Sequence, residues 1–218
     1  MIWKLSRSAL VLGVVVLGAA FAGLARADDY PSRPITILVP FPPGGSTDLV
    51  VRLVANKVSE SLKQPIIIEN RPGAAGNVAA MAIKNASPDG YLLMTGHTGT
   101  HAINPTLYTD LKFDPVKDFQ PITALIAFNN ILVVPTASPA KSVAELVAYA
   151  KTRPEGLSYG SQGVGTGGHL LGVLLAKHAH INLVHVPYRG IAPAVTDTVA
   201  GRMDMLFAAY LSTGPHVE

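Results

Sequence analysis

The sequence predicts an α/β fold whose sheets are mostly parallel and covered by helices on both faces. Short, strongly apolar runs such as Ile35–Val39 and Leu183–Pro187 alternate with single helical segments along the chain. Such runs are typical of parallel strands, because a strand packed between two helical layers is buried on both faces. Two series of these elements, one on each side of Asn129-Asn130, favour two similar lobes.

The first series is predicted to hold three strands and two helices. Leu49, Leu53 and Leu62 recur at helical spacing, so residues 47–62 are predicted to form an amphipathic helix. An Ala-rich helix is expected at residues 76–86, ending at a Ser-Pro-Asp-Gly turn. The strands are expected at Ile35–Val39, Ile66–Asn70 and residues 91–95, and the stretch "TGHTGTHAINPTLY" is expected to be a loop.

The second series repeats this alternation. Ser142 is expected to cap a helix over residues 142–151, with Glu145 as the acid of a capping box. Two apolar runs, residues 122–128 and 131–134, meet at Asn129-Asn130. Further helices are expected at residues 169–178 and 194–200, and strands at residues 157–159, 183–187 and 203–207.

The N-terminus has the plan of a secretory signal peptide. A basic start and a short apolar run lead to Ala25-Arg26-Ala27, which fits a cleavage site after Ala27. An uncleaved membrane anchor is the alternative, although the apolar run is short for a span of about 20 residues. We therefore expect a signal peptide at residues 1–27, a first lobe at 28–128 and a second lobe at 129–218.

The composition argues against several classes of function. The net charge of +3 comes from 17 Lys and Arg against 14 Asp and Glu, but Lys4, Arg7 and Arg26 lie in the signal peptide. The mature chain would be neutral, which argues against a nucleic-acid partner. The chain has no cysteine, so disulfides, thiol catalysis and a lipid-bearing N-terminal cysteine are excluded.

The first candidate site is the turn "PFPPGGSTD" that follows the first strand. Ligands of open α/β sheets bind beyond the carboxyl ends of strands, where loops lead into helices. Gly44 and Gly45 let the backbone approach a ligand, and the first amides of the helix suit an anion. A tight turn with Ser46 or Thr47 as the helix cap explains the same residues equally well.

The second candidate site is "GSQGVGTGG". Gly163, Gly165 and Gly168 satisfy the G-x-G-x-x-G pattern of dinucleotide sites. That pattern also requires an acid about 20 residues further on, and no Asp or Glu occurs between Glu155 and Asp197. The nucleotide interpretation is therefore disfavoured, and a second glycine-rich loop suited to an anion is left.

The remaining candidates are weaker. Gly76-Asn77 offers amides after the second strand, and His97 and His101 are four residues apart without a third metal ligand. His97 is expected to be a cleft wall or a surface residue, and His169 at a helix start could touch a ligand. G-x-S-x-G, H-E-x-x-H and G-x-x-x-x-G-K motifs are missing from the sequence, which agrees with binding rather than catalysis.

Five ordered motifs carry a resemblance to a known family. They are "YPSRPITILVPFPPGGSTD", "IENRPGAAGN", "SPDGYLLMTGHTGTHAINPTLY", "LSYGSQGVGTGGHL" and "HVPYRGIAPAVTDTVAGRMDMLF". In this order they closely resemble the Bug-type periplasmic solute receptors, the substrate-binding components of tripartite tricarboxylate transporters. The resemblance extends from Tyr30 to about Pro215.

The resemblance implies a non-enzymatic, two-lobed periplasmic receptor of the Venus-flytrap type. It would be a monomer without a cofactor, and would close over a small carboxylate and deliver it to a membrane permease. A sensor partner of a signalling protein is the main alternative, and a nucleotide-dependent oxidoreductase or a hydrolase is the other. The implied ligand-binding residues are Phe41, Gly44, Gly45, Ser46, Thr47, Asp48, Gly76, Asn77, Thr98, Gly99, Thr100, Ser161, Gly163, Thr166, Gly167, His169, Arg189 and Asp204.

The chain departs from the family in one respect. Family members continue well beyond "LSTGPHVE", with a segment that completes the second lobe and returns to the first. We therefore expect an incomplete second lobe, exposed strand edges and apolar helix faces, and low stability.

Overall fold

The computed structural model describes residues 30–217. Both sheets belong to one compact unit that begins at Pro34. The predicted signal peptide and its cleavage site after Ala27 lie outside the described residues. The boundary between two lobes at residue 128 stays a prediction, because both sheets fall in one compact unit.

The first sheet has three parallel strands in the order β2-β1-β3. The central strand is buried on both faces, since Leu38 and Val39 are both fully buried. This confirms the parallel arrangement predicted from the apolar runs. The elements of this part are β1 (Ile35–Val39), α1 (Ser46–Leu62), β2 (Ile66–Asn70), α2 (Asn77–Lys84) and β3 (Leu92–Met94).

The segment after β3 was expected to be a loop, and this expectation is wrong. It forms a π-helical turn, Gly99–Ile103, followed by the short helix α3 (Asn104–Leu107). Pro105 occupies the first turn of α3, where its missing N–H is not needed. A second irregular turn, the 3₁₀ helix Ala74–Gly76, precedes α2.

The second sheet has four strands in the order β4-β7-β5-β6, of which only β4 is antiparallel to its neighbour. The expected helices are present, with ends that differ by up to three residues. The elements are β4 (Asn130–Val133), α4 (Val143–Lys151), β5 (Leu157–Ser161), α5 (Gly167–Ala179), β6 (Leu183–Pro187), α6 (Ile191–Val199), β7 (Met205–Ala209), α7 (Tyr210–Thr213) and the 3₁₀ helix Gly214–His216.

A hydrophobic cluster packs against each face of this sheet. Met205 packs in one cluster with Leu146 of α4, whereas the next residue, Leu206, packs in another cluster with Ile191 of α6. Adjacent residues of a strand point to opposite faces, so β7 joins the two clusters. This confirms the α/β class with helices on both faces.

Two local expectations had different outcomes. The cap of α4 is as predicted, because Ser142 Oγ accepts the Glu145 N–H at 3.2 Å. The Glu145 carboxylate accepts the Lys141 N–H at 2.6 Å rather than that of Ser142, so the capping box is displaced by one residue.

The apolar run 122–128 forms no regular element and is exposed. No helix within residues 30–217 is long and apolar enough to cross a membrane.

Candidate functional site

The first loop, residues 40–45, turns sharply from β1 into α1. Gly44 has φ +86°, a conformation that glycine adopts at little cost. Gly45 is the N-cap of α1, and no side chain caps this end of the helix. The expectation that Ser46 or Thr47 caps the helix is therefore wrong: Ser46 is the first helical residue. Its hydroxyl oxygen has no hydrogen-bond partner within residues 30–217, although Ser46 is only 2% exposed.

A buried carboxylate holds this loop in shape. Asp48 accepts hydrogen bonds from the Gly44 N–H at 3.0 Å, from Arg52 Nε at 3.0 Å and from Asn70 Nδ2 at 2.8 Å. Asn70 Nδ2 also donates to the Phe41 carbonyl at 3.0 Å. Burial raises the pKa of Asp48, but these hydrogen bonds outweigh it and leave the pKa below its ordinary value. Asp48 is thus ionised, and its carboxylate oxygens are held by these three donors.

The N–H groups at the start of α1, directly after this loop, are available to bind a ligand. The first backbone bond of α1 runs from the Leu49 N–H to the Gly45 carbonyl at 3.0 Å. Within the described chain, the N–H groups of Ser46, Thr47 and Asp48 make no hydrogen bond. Free amides at a helix N-terminus carry partial positive charge and form a site for an anion.

The second loop, residues 162–166, is held by its own side chains. Ser161 Oγ accepts the Gly163 N–H at 3.0 Å, and Thr166 Oγ1 donates to the Gly163 carbonyl at 2.7 Å. His169 Nδ1 accepts the Gly165 N–H at 3.3 Å. Thr166 is the N-cap of α5 without a side-chain cap bond, so the first amides of this helix, including that of Gly167, are also free in the described part of the chain.

His185 of β6 is a neighbour of this loop that the sequence did not indicate. Its Nε2 lies 2.6 Å from Ser161 Oγ, and its ring centroid lies 4.3 Å from that of His169. Burial, and then the neighbouring His169, lower the pKa of His185 to about 4. Burial also lowers the pKa of His169. Both rings are therefore neutral at pH 7 and support the second loop.

The Ser161–His185 pair does not have the features of a catalytic dyad. Ser161 is fully buried, and its Oγ accepts the Gly163 N–H and contacts the Gly163 carbonyl at 3.2 Å. Within residues 30–217, no carboxylate accepts a hydrogen bond from His185 to orient its ring, as nucleophilic catalysis requires. The pair fits a structural role better than a chemical one.

A third group of predicted site residues gathers behind Phe41. The rings of Phe41 and His97 are 4.9 Å apart, and His97 Nδ1 accepts the Gly99 N–H at 3.0 Å. Burial, and then the neighbouring His101, lower the pKa of His97 to about 4. Gly76 lies close by, because a Cβ at this position would be 2.7 Å from His97 Nε2.

Asn104 completes this third group, and no pattern in the sequence pointed to it. Its Nδ2 donates to Asn77 Oδ1 at 2.7 Å, and the side chain is fully buried. The other amide atom, Oδ1, has no hydrogen-bond partner in residues 30–217. Thr100 is fully buried in the same turn, whereas Thr98 is exposed at its start.

The first loop faces the N-terminus of α6 across a narrow space. A Cβ at Gly45 would lie 3.2 Å from Ile191 Cγ2, and a Cβ at Gly190 would lie 2.8 Å from Pro42 Cδ. The cavity between them has a volume of about 10 Å³, room for about one water molecule. It is lined by Phe41, Pro42, Pro43, Gly45, Ser46, Thr47, Gln162, Gly190, Ile191, Ala192 and Pro193.

The lining includes residues that sequence reasoning missed. Gln162 and Gly190–Pro193 were not among the predicted site residues, although "PYRGIAPA" follows a strand and opens a helix in the same way as the two glycine loops. That repeated strand-to-helix pattern was the available signal. No spacing rule shows that α6 would stand opposite α1.

The second loop packs against the third group. A Cβ at Gly165 would collide with Asn104 Oδ1, and a Cβ at Gly99 would lie 2.8 Å from the Gly165 carbonyl oxygen. Tyr108 Oη donates to the Val164 carbonyl at 3.3 Å. The second loop therefore rests directly on the segment that follows β3.

Two predicted site residues are not brought to this group. Asp204 lies before β7, where its Oδ2 accepts both the N–H of Ser158 at 2.7 Å and the Ser158 hydroxyl at 2.6 Å. Ser158 is near the start of β5, at the opposite end of the strand from Ser161. Arg189 adjoins the cavity residue Gly190, but its side chain is exposed and has no ion pair in the described residues.

Residues 30–217 contain no group of three His, Cys, Asp or Glu residues able to hold a metal ion. Two free helix N-termini, those of α1 and α5, and unpaired polar atoms on Ser46 and Asn104 characterise the site instead. Such an arrangement suits a small anion or a polar group that accepts hydrogen bonds.

Comparison with known proteins decides the family. Residues 50–218 match the model of the tripartite tricarboxylate transporter family receptor. The chain belongs to this family. The resemblance inferred from the five motifs is confirmed, and a family of solute-binding receptors is not a class of enzymes.

Two curated relatives illustrate the relationship. A protein described as "UPF0065 protein in tcbD-tcbE intergenic region" of Pseudomonas sp. (strain P51) is 39% identical over 187 residues, which cover 86% of this chain and 55% of that protein. "Protein BugT" of Bordetella pertussis is 32% identical over 199 residues, covering 91% of this chain and 61% of the relative. The chain thus spans little more than half the length of these receptor-family proteins.

Two solved structures agree with the fold. "R. palustris Rpa4515 with adipate" is 37% identical, with a TM-score of 0.83 over 86% of this chain and 62% of the other. "MatC (Rpa3494) from Rhodopseudomonas palustris with bound malate" is 33% identical, with a TM-score of 0.81 over 85% of this chain and 63% of the other. Both proteins hold a small dicarboxylate.

Proposed function

We propose that this receptor-family chain captures a small carboxylate between the first and second loops. The observation that carries the proposal is the N-terminus of α1, where three amides are free and the buried Ser46 hydroxyl has no partner within residues 30–217. A helix N-terminus carries roughly half a positive charge, so its amides bind an anion without a buried cation. The adipate and malate held by two relatives support this class of ligand.

The proposed binding positions keep the residues of the sequence analysis, with adjusted roles. Phe41, Gly45, Ser46 and Thr47 would contact the ligand from the first loop. The second loop and the start of α5 would contribute through Gly163, Thr166 and Gly167, with Ser161 and His169 holding the loop in shape. The third group would contribute through Gly76, Asn77, Thr98, Gly99 and Thr100. Gly44 and Asp48 would hold the first loop in shape. Gln162 and Ile191 join the proposed contacts because they line the same cavity.

Ligand entry would require the loops to separate. The cavity of about 10 Å³ holds a water molecule, whereas a dicarboxylate is several times larger. An opening and closing motion of the two sheets would admit the ligand and then bury it. Closure would be driven by the ligand, because only the closed form offers both sets of amides to one anion.

The wider role rests on the family. We propose that the chain is exported to the periplasm by the predicted signal peptide, acts as a monomer and passes its ligand to the membrane permease of a tripartite tricarboxylate transporter. The match to the transporter receptor family supports delivery to a permease.

A ligand screen tests the proposal. Residues 28–218 are titrated calorimetrically at low temperature with mono-, di- and tricarboxylates and with the matching neutral amides. We expect at least one carboxylate to bind more tightly than its amide. Binding of no carboxylate, or equal binding of acid and amide throughout, overturns the proposal.

A further inference from the structure

Asp48 presents an electrostatic difficulty for the proposed anion site. Its carboxylate is ionised, 2% exposed and located in the first turn of α1, whose amides are proposed to hold the ligand. A negative charge at this position is itself stabilised by the positive end of the helix dipole, and it repels any other anion that binds at the same helix N-terminus. The site therefore needs a cation that neutralises Asp48 without occupying the ligand's place.

Arg52 is placed to supply that charge. Its Nε donates to Asp48 Oδ2 at 3.0 Å, and its Nη2 lies 3.0 Å from Asp48 Oδ1, so the guanidinium engages both carboxylate oxygens. Nη2 also donates to Asn70 Oδ1 at 2.9 Å, which fixes the outer end of the side chain. The other donors to Asp48, Gly44 N–H and Asn70 Nδ2, are neutral.

The other cations near the site do not replace Arg52. Neither the first nor the second loop contains Lys or Arg. Arg189 is the basic residue next to the cavity lining, and it makes no ion pair with any carboxylate of the described chain. Within residues 30–217, the ion pair of Asp48 is made with Arg52.

We propose that Arg52 determines the charge preference of the site: by neutralising Asp48, it allows the first loop to accept a carboxylate. This inference rests on the proposed function, since it concerns the same site. Arg52 acts through Asp48 and does not touch the ligand, so it is a positioning and charge-balancing residue. Its loss changes which ligands bind while the loop keeps its fold.

The experiment compares four variants by calorimetric titration. Arg52→Met removes the charge and keeps the apolar stem, and Arg52→Lys keeps the charge. Asp48→Asn combined with Arg52→Met removes both charges of the pair. Lys57→Met is the matched control, because Lys57 on the same helix pairs with Glu60 and is 85% exposed. The probes are adipate, malate and citrate, and adipamide as the neutral analogue of adipate.

The inference predicts a charge-dependent pattern. Arg52→Met weakens adipate binding about tenfold at low salt and less at high salt, as expected for one unneutralised charge. Adipamide binding stays within about twofold of wild type. The double variant binds adipate more tightly than Arg52→Met, because the unneutralised charge is gone, but less tightly than wild type, because one asparagine oxygen cannot accept all the bonds of the Asp48 carboxylate. Arg52→Lys keeps the charge but not the two-pronged contact, so it binds adipate more tightly than Arg52→Met and less tightly than wild type. Lys57→Met binds adipate nearly as wild type.

The contrary outcomes separate the two proposals. Unchanged adipate binding in Arg52→Met overturns the inference alone. Loss of adipate and adipamide binding together, without recovery in the double variant, also overturns it, because a purely structural role gives that pattern. If the double variant does not fold, the salt dependence of Arg52→Met decides. If the wild type binds none of adipate, malate and citrate, the carboxylate found in the ligand screen and its amide replace them as probes. If no carboxylate of the screen binds, the proposed function is overturned and this inference with it.

Discussion

The side chains around the first loop divide into those that hold its shape and those that are free to bind. Asn70 belongs to the first kind, because one amide group joins the Phe41 carbonyl to the Asp48 carboxylate. Ser46 belongs to the second, because its buried hydroxyl makes no hydrogen bond in the described residues. The geometry of the amides at the start of α1 thus depends on residues that do not touch a ligand.

Replacement of Asn70 should loosen the first loop. Asn70→Ala removes the bonds to Phe41 and Asp48 and the exposed bond that Arg52 donates to Asn70. At about 1 kcal/mol for each of the two part-buried bonds and little for the exposed one, the free energy of unfolding should fall by about 2 kcal/mol. Urea unfolding followed by circular dichroism measures this loss. The control is Asn182→Ala, which removes one exposed bond to the Pro154 carbonyl and should cost less. Equal losses in both variants would contradict the role given to Asn70.

Gly45 tests the binding face of the same loop. Its φ of −81° suits any residue, so Gly45→Val should fold, but the side chain would enter the space between the loop and Ile191. We expect the variant to lose the rise in melting temperature that a bound carboxylate produces, while Gly45→Ala keeps part of it. An undiminished rise in Gly45→Val would show that ligands bind elsewhere.

At the scale of elements, β6 and α5 bring two neutral histidines against the second loop. The pKa of His185 lies at about 4 in the folded chain against 6.5 for the free group. As the pH falls below 6.5, the unfolded chain takes up a proton that the folded chain does not. The stability contributed by the neutral ring is therefore complete above pH 6.5 and is lost as the pH falls towards 4.

His185→Gln should reduce this sensitivity to acid. The melting temperature of the variant should fall less than that of the wild type between pH 7 and pH 5, because glutamine has no proton to take up. His178→Gln is the control, since His178 is exposed near the end of α5. A variant that loses stability with pH as steeply as the wild type would assign the acid sensitivity to other groups, such as His97.

Most strands and helices, and both glycine loops, could be predicted from the sequence. Strands such as Ile35–Val39 were found because a buried parallel strand needs a continuous apolar run, and both glycine loops were found because they join a strand to a helix. The π-helical turn Gly99–Ile103 was not predicted, because glycine and threonine favour loops. The two side-chain bonds that fix its start, from the Gly99 N–H to His97 Nδ1 and from the His97 N–H to Thr100 Oγ1, cannot be read from residue spacing. His185 and Asn104 were missed because strand register and tertiary contact, rather than spacing, bring them to the site.

At the scale of the whole molecule, large apolar side chains are unusually exposed. Val116 is 81% exposed, Ile122 is 74% exposed and Leu53 is 73% exposed. Exposed apolar surface of this extent lowers stability and favours association. We expect residues 28–218 to bind a hydrophobic dye such as ANS in the absence of denaturant and to unfold at low urea concentration. A sharp transition at high urea without dye binding would contradict this expectation.

The proposed closure of the loops over a ligand would depend on the close approach of two glycines. Gly99 and Gly165 let the segment after β3 and the second loop approach backbone to backbone, and Gly165 has φ +89°. Gly165→Ala would press a Cβ against Asn104 Oδ1 and strain the loop, so the closed form should become rarer and the apparent affinity for a carboxylate should fall about tenfold. With ligand present, small-angle scattering should show a larger radius of gyration for Gly165→Ala than for the wild type. Gly201→Ala is the control, because Gly201 also has a positive φ of 71° but no atom within 4 Å of its Cβ position. If both variants lose affinity equally, backbone strain alone explains the effect; if only Gly165→Ala does, the collision with Asn104 limits closure.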